Sequence, residues 1–284
     1  MSNVRKIKLT LKSRPTLEGA GVRLKRVFGN DEVPTFDPFL LLDHFGSDNP
    51  DDYLAGFPWH PHRGIETITY MIRGKVEHGD SLGNSGIINS GDVQWMTSGS
   101  GILHSEMPKP IDGLMMGFQL WANLPSSHKM MGPRYRDVLN EQIPEVQIED
   151  GVKVKIVAGE INGIKGPVQD IITDPEYLDV ELNPNTTFNH KVKRSHTVFA
   201  YIFEGTGYFD ENRDPLKNAG QLVLYDDGEE IVISTDDTNL RFLLVSGKPI
   251  GEPVAWYGPI VMNTQEELRI AFEEYRNNTF IKQR

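Results

Sequence analysis

Short runs of apolar or alternating residues, each stopped by a glycine- or proline-marked turn, recur along the whole of this 284-residue chain, and few folds accept that rhythm. Between residues 35 and 124 alone, TFDPFLLLDHFG, ETITYMIRG, GDVQWM, SGSGILHSEMP and GLMMGFQLWANL follow one another with turn signals between them. Period-2 alternation with β-branched and aromatic residues marks a strand, and the glycine-rich and polar stretches 46–56 and 79–91 read as loops or hairpin tips. An all-β barrel or sandwich is expected.

The second half repeats the plan. Residues 152–157, 177–182, 197–203, 221–225 and 240–245 are strand-like, and setting Gly205 on Gly74 lays TVFAYIFEG over ETITYMIRG. The polar, proline-punctuated stretch from Pro125 to Pro144 supplies the boundary, which gives expected domains of 1–135 and 145–284. MSNVRKIKLTLKSRP reads as an amphipathic strand. The one helix expected is TQEELRIAFEEYR, where Thr264 can cap, Glu267 stands three residues on, and Leu268, Ile270, Ala271, Phe272 and Tyr275 are the apolar side.

Within this strand pattern, His60-Pro61-His62 and His104-Ser105-Glu106 stand out. Residues two apart on an extended strand project from one face, about 6 to 7 Å apart. If the two segments lie side by side in one sheet, three imidazoles and a carboxylate converge, a donor set suited to a divalent transition metal. The chain has no cysteine, so thiolate ligands, zinc ribbons, iron–sulfur sites and disulfides are excluded. Four protein ligands would leave two positions of an octahedral ion for water, substrate or dioxygen. Glu66 shares the face of His60 and His62 by parity, which fits a hydrogen bond that orients an imidazole as well as it fits no role at the site. His44, His78 and His128 have no partner at ligand spacing and are expected at the surface or in turns. Trp59, Trp95, Phe118 and Trp121 are expected in the core. Whether Gln119 faces the pocket depends on a strand register that alternation does not set. In the second half, His60 and His62 fall on Lys191 and Lys193, and His104 and Glu106 on Ile233 and Thr235, so that copy keeps the strands and loses the ligands.

A formal net charge of −11 argues against gripping nucleic acid by bulk electrostatics. No window approaches the length of an apolar membrane span and the first residues have no leader-like core, so the expected location is cytoplasmic, with the nucleus added if the source is eukaryotic. A monomer is expected.

HPHRGIETITYMIRG and GDVQWMTSGSGILHSEMP closely resemble the paired metal motifs of the pirin family within the cupin superfamily, and FDPFLLLDHF, GFQLWANLP and GPIVMNTQEEL extend the resemblance over nearly the whole chain. The resemblance implies a bicupin: two β-barrels and a short C-terminal helix, with iron in the first barrel and no metal in the second. It implies His60, His62, His104 and Glu106 as the ligands. The general cupin pattern would also use Glu66, but in pirin-like chains that role passes to the Glu of HxE. Thr97 stands where the usual second cupin motif has proline, a departure this family shares. The implied activity is that of a quercetin 2,3-dioxygenase, which opens the heterocycle of a flavonol with O2 and releases carbon monoxide, with Glu106 as the base for the 3-hydroxyl. Pirins of animals are linked to transcriptional co-regulation, so a metal- and redox-dependent regulatory binder with a protein partner is the alternative. The donor set by itself also accommodates manganese, nickel, copper, cobalt or zinc.

Overall fold

The computed structural model describes residues 4–282 and shows an all-β chain with a single α-helix among the described residues. Two compact units emerge, and neither is one continuous segment: residues 14–140 join 250–284, while residues up to 13 join 141–249. The expected division at 1–135 and 145–284 cut the chain once, whereas these units cut it three times. The reason is pairing at sheet edges. The alternating strand Ile7–Lys12 bonds antiparallel to Gln221–Tyr225 and covers an edge of the second unit's ten-stranded sheet. Arg5, buried just before it, donates to the carbonyls of Gly228, His196, Asp226 and Lys193.

In the first unit a seven-stranded sheet faces a four-stranded one. The larger runs Arg134–Val138, Val93–Thr97, Ile65–Arg73, Met115–Asn123, Phe39–Ser47, Val22–Phe28 and Arg14–Glu18; the smaller runs Phe57–His62, Ile102–Pro108, Lys75–Asp80 and Ser85–Asn89. Val22, Leu24, Met71 and Met115 of one pack with Val76 and Ile88 of the other. The C-terminal segment returns to this unit as a hairpin, Ala255–Tyr257 with Ile260–Met262, and as the helix Gln265–Arg276. Thr264 accepts from the Glu267 amide and the Glu267 carboxylate accepts from the Thr264 amide, the expected reciprocal cap. Leu268 and Ala271 bury against Ala255, Ile260, Met262 and Phe280. The helix therefore belongs with the first barrel, not with 145–284 as its sequence neighbours suggested.

In the second unit the interior is apolar. The pair Thr187–Lys191 and Glu230–Ser234, which corresponds to the ligand-bearing pair of the first unit, carries Phe188, Ile231 and Ile233 into a core with Val180, Phe209 and Phe242.

Candidate metal centre

Phe57–His62 runs antiparallel to Ile102–Pro108, with His60 opposite His104 and Ile102 opposite His62. His104 thereby faces His60 directly across the two strands, and Leu103 is the residue opposite Pro61. A register shift after His104 then sets Glu106 opposite Phe57. The ligand atoms of His60, His62 and His104 all lie within 4.8 Å of one another, a group able to hold a metal ion. His60 Nε2 is 3.0 Å from His62 Nε2 and 2.9 Å from His104 Nε2.

Those contacts are not an ordinary hydrogen-bonded cluster. His60 Nδ1 lies 2.8 Å from the Pro58 carbonyl and His62 Nδ1 lies 3.1 Å from the Pro259 carbonyl. A carbonyl only accepts, so both Nδ1 atoms carry hydrogen, and in the neutral ring Nε2 then holds a lone pair. Two lone pairs 3.0 Å apart repel, and a cation shared between them removes the repulsion. Burial keeps all three rings neutral: it pulls His60 below the usual imidazole range and His62 and His104 well below it, with repulsion between the imidazoles adding to the effect. Neutral imidazoles with converging Nε2 atoms are the state a divalent ion requires, and two of the three, His60 and His62, have the far nitrogen anchored on a carbonyl while His104 Nδ1 is buried without a partner, so these residues fit the implied group.

Glu106 is buried and stands outside this close set. Its Oε1 is 2.9 Å from Thr69 Oγ1, and Thr69 Oγ1 is 2.6 Å from Gln119 Oε1. One hydroxyl hydrogen serves only one of those acceptors at a time. Burial pushes the Glu106 carboxyl up to about 7, against the lowering effect of the Thr69 hydrogen bond. A nearby divalent cation would favour the ionised form.

Glu66 takes no part in the cluster. Its carboxylate accepts from Thr97 Oγ1 at 2.6 Å and from Trp95 Nε1 at 3.1 Å, across the seven-stranded sheet. The parity argument fails because Gly64, at φ +79°, breaks the strand between His62 and Ile65. Thr97, the position where the usual motif has proline, supplies the hydroxyl that satisfies this buried acid.

Other expectations need correction. His78 is buried, not at the surface: it is inward on Lys75–Asp80, its Nδ1 2.6 Å from Tyr135 Oη. His44 is half-buried against Phe118, its ring pulled down to about 4 by burial. Trp95 and Phe118 are core, but Trp59 is 59% exposed at the mouth of a cavity and Trp121 stands edge-on to His62 at 5.1 Å. That cavity, about 670 Å³, opens beside His60, His62 and Glu106 and also takes in Gln119, Trp256 and Tyr257.

Three further residues hold the histidine segment in place. Arg63 donates to the carbonyls of Ser100 and Phe280, pairs with Glu274 at 2.8 Å and lies over the Phe280 ring. Lys129 donates to the carbonyls of Gly64 and Val261 and to Asn123 Oδ1. Pro259 anchors His62. Arg63 sits inside the first histidine motif and Pro259 inside GPIVMNTQEEL, but Lys129 lies in no motif, and Lys129 and Pro259 act from 67 and nearly 200 residues away, which no local pattern shows.

The Pirin family profile matches residues 21–122, and that of the Pirin C-terminal cupin domain matches residues 177–281. A Pirin-like protein of Caulobacter vibrioides is 42% identical over 279 residues, covering 98% of this chain and 99% of that one. A crystal structure of quercetin 2,3-dioxygenase from Acinetobacter baumannii superposes with a TM-score of 0.90 at 31% identity, covering 98% of each chain. A bacterial pirin of Escherichia coli, solved in complex with nickel(II), shares the fold at a TM-score of 0.65 and 21% identity, over 85% of this chain and 98% of that one.

Proposed function

This chain belongs to the pirin family, and from that premise we propose that it is a mononuclear metal-dependent dioxygenase that opens the heterocycle of a flavonol such as quercetin. The observation that carries the reading is the trio of neutral imidazoles whose Nε2 atoms meet at the edge of a cavity large enough for a three-ring aromatic. His60, His62 and His104 would hold the ion, with Glu106 as the fourth ligand after its carboxylate turns from Thr69. The ion, Fe(2+) in the first instance, would supply Lewis acidity toward the flavonol oxygens and a redox partner for O2.

Within that frame the chain's own groups have defined tasks. Pro58 and Pro259 fix the two imidazole tautomers. Glu106 would receive the 3-hydroxyl proton, since it is the buried carboxylate lining the cavity beside the imidazoles. Thr69 stands ready to donate to the carboxylate. Trp59, Trp121 and Trp256 give the cavity aromatic surfaces for planar rings. The overall change conserves atoms, since flavonol plus O2 becomes the ring-opened ester plus carbon monoxide.

Metal analysis of the purified protein combined with an oxygen electrode tests this. One equivalent of metal per chain is expected, with quercetin-dependent O2 uptake that disappears in His60→Ala and Glu106→Ala. Unchanged rates in both variants would remove the site from the chemistry. Stoichiometric, metal-dependent capture of a protein partner without O2 uptake would favour the regulatory role in place of catalysis.

A further inference from the structure

Apart from Glu18 on its outermost strand, the wall of the cavity built by the seven-stranded sheet is apolar except for a single row. Cross-strand register on the seven-stranded sheet sets Thr69 opposite Gln119, Gln119 opposite Asp43, and Asp43 opposite Arg26, and all four side chains line the cavity. At about 4.8 Å between strands the row is about 14 Å long. The flanking rows differ: Trp121 faces Leu41 on one side, and Phe45 lies between Gly117 and Leu24 on the other.

Both ends of the row are pinned. At one, Thr69 Oγ1 lies within hydrogen-bond distance of Glu106 and Gln119. At the other, Arg26 donates from Nε to Asp43 Oδ1 at 2.9 Å and from Nη2 to Oδ2 at 2.8 Å, and its Nη1 pairs with Glu18 at 2.8 Å. Each Asp43 oxygen accepts one of these bonds and retains a further lone pair, although the residue is only 5% exposed. Buried acceptors with spare capacity along a cavity select a ligand that brings hydrogens to them, and a ligand without those hydrogens leaves them desolvated and unpaired.

We infer that Gln119 and Asp43 are specificity-determining residues that read the hydroxyl-bearing edge of a planar aromatic ligand lying along this row, with one end at the three imidazoles. The ligand class is a polyhydroxylated flat aromatic, and its identity as a flavonol rests on the function proposed above.

Anaerobic equilibrium binding to the full chain, its Asp43→Asn variant and its Gln119→Leu variant tests this with four probes. Quercetin and 3-hydroxyflavone differ in the hydroxyls away from the 3-position; luteolin and flavone form the same pair without the 3-hydroxyl. The native protein is expected to prefer the hydroxylated member of each pair by about tenfold or more, as hydrogen bonds to a buried carboxylate allow. That preference should fall toward unity in both variants while affinity for the bare probes stays within about threefold. An architectural role alone would not change the ratio. A preference absent from the native protein, or intact in both variants, overturns the inference, as does failure to bind any probe. Gln119→Leu breaks no ion pair and carries the test if Asp43→Asn fails to fold. Quercetin turnover with an unchanged ratio would defeat this inference and leave the dioxygenase standing; a row-dependent ratio for luteolin over flavone without quercetin turnover would do the reverse.

Discussion

The buried polar residues around the histidines separate into those that face the cavity and those that hold its walls, and the two groups respond differently to substitution. Thr97 is in the second group. Replacing it with valine keeps the shape but leaves Glu66 Oε1 without its donor, and a loss of about 1 to 3 kcal/mol is expected in urea unfolding, with metal content unchanged. Lys129 gives a pH signature. Burial draws its ammonium down to about 8, whereas the unfolded chain titrates near the ordinary lysine value of 10.5. Below pH 8 both states are protonated and the native state bears the cost of a buried charge, offset in part by three acceptors. Between pH 8 and 10.5 the unfolded chain binds the extra proton, so stability should rise with pH, by up to roughly 3 kcal/mol. Lys129→Met should lack that rise, as the difference between the two stability-versus-pH curves will show. Thr97 is visible in the sequence only as a departure from a motif and not as a hydrogen-bond donor, and Lys129 is not visible at all, because a lysine in a polar loop is commonplace until its partners are known.

At the scale of elements, the turn between the two strands at the site is a point of close approach. Gly64 sits at φ +79°, and a Cβ there would lie 2.0 Å from the Val261 carbonyl oxygen. Gly64→Ala is expected to destabilise the chain by at least about 2 kcal/mol and to weaken metal binding, because the backbone must move just beyond His62 and Arg63. Chelator competition on the folded fraction measures the second effect. Thr264→Ala should cost about 0.5 to 2 kcal/mol through the lost cap while leaving metal affinity nearly unchanged. Strand positions were legible to within a few residues: the expected 152–157, 177–182, 221–225 and 240–245 are seen as Val152–Ala158, Glu176–Leu182, Gln221–Tyr225 and Leu240–Gly247. The helix and its cap were legible too, since both rest on contacts within a turn. The face of Glu66 was not, because parity survives only while the strand is unbroken.

Across the whole molecule, the first barrel's site is completed by residues 250–284, which supply the Pro259 carbonyl, the Trp256 and Tyr257 lining and the Phe280 partner of Arg63. A chain ending at residue 249 keeps all four proposed ligands, yet it is expected to lose stoichiometric metal, measured by elemental analysis of the folded product. Retention of one tightly held equivalent would show that the return segment is dispensable.

Short-range regularities determined what could be read from the chain alone. Alternation names strands, glycine and proline mark turns, and donor types two residues apart define an imidazole pair, because each depends on neighbours in sequence. Only the folded chain decided that Ile7–Lys12 pairs in the second unit, that the C-terminal hairpin anchors His62, and that Thr69, Gln119, Asp43 and Arg26 form one row. Those facts follow from register and edge pairing between distant strands, and backbone hydrogen bonds accept many such pairings until the packing of the whole barrel selects one.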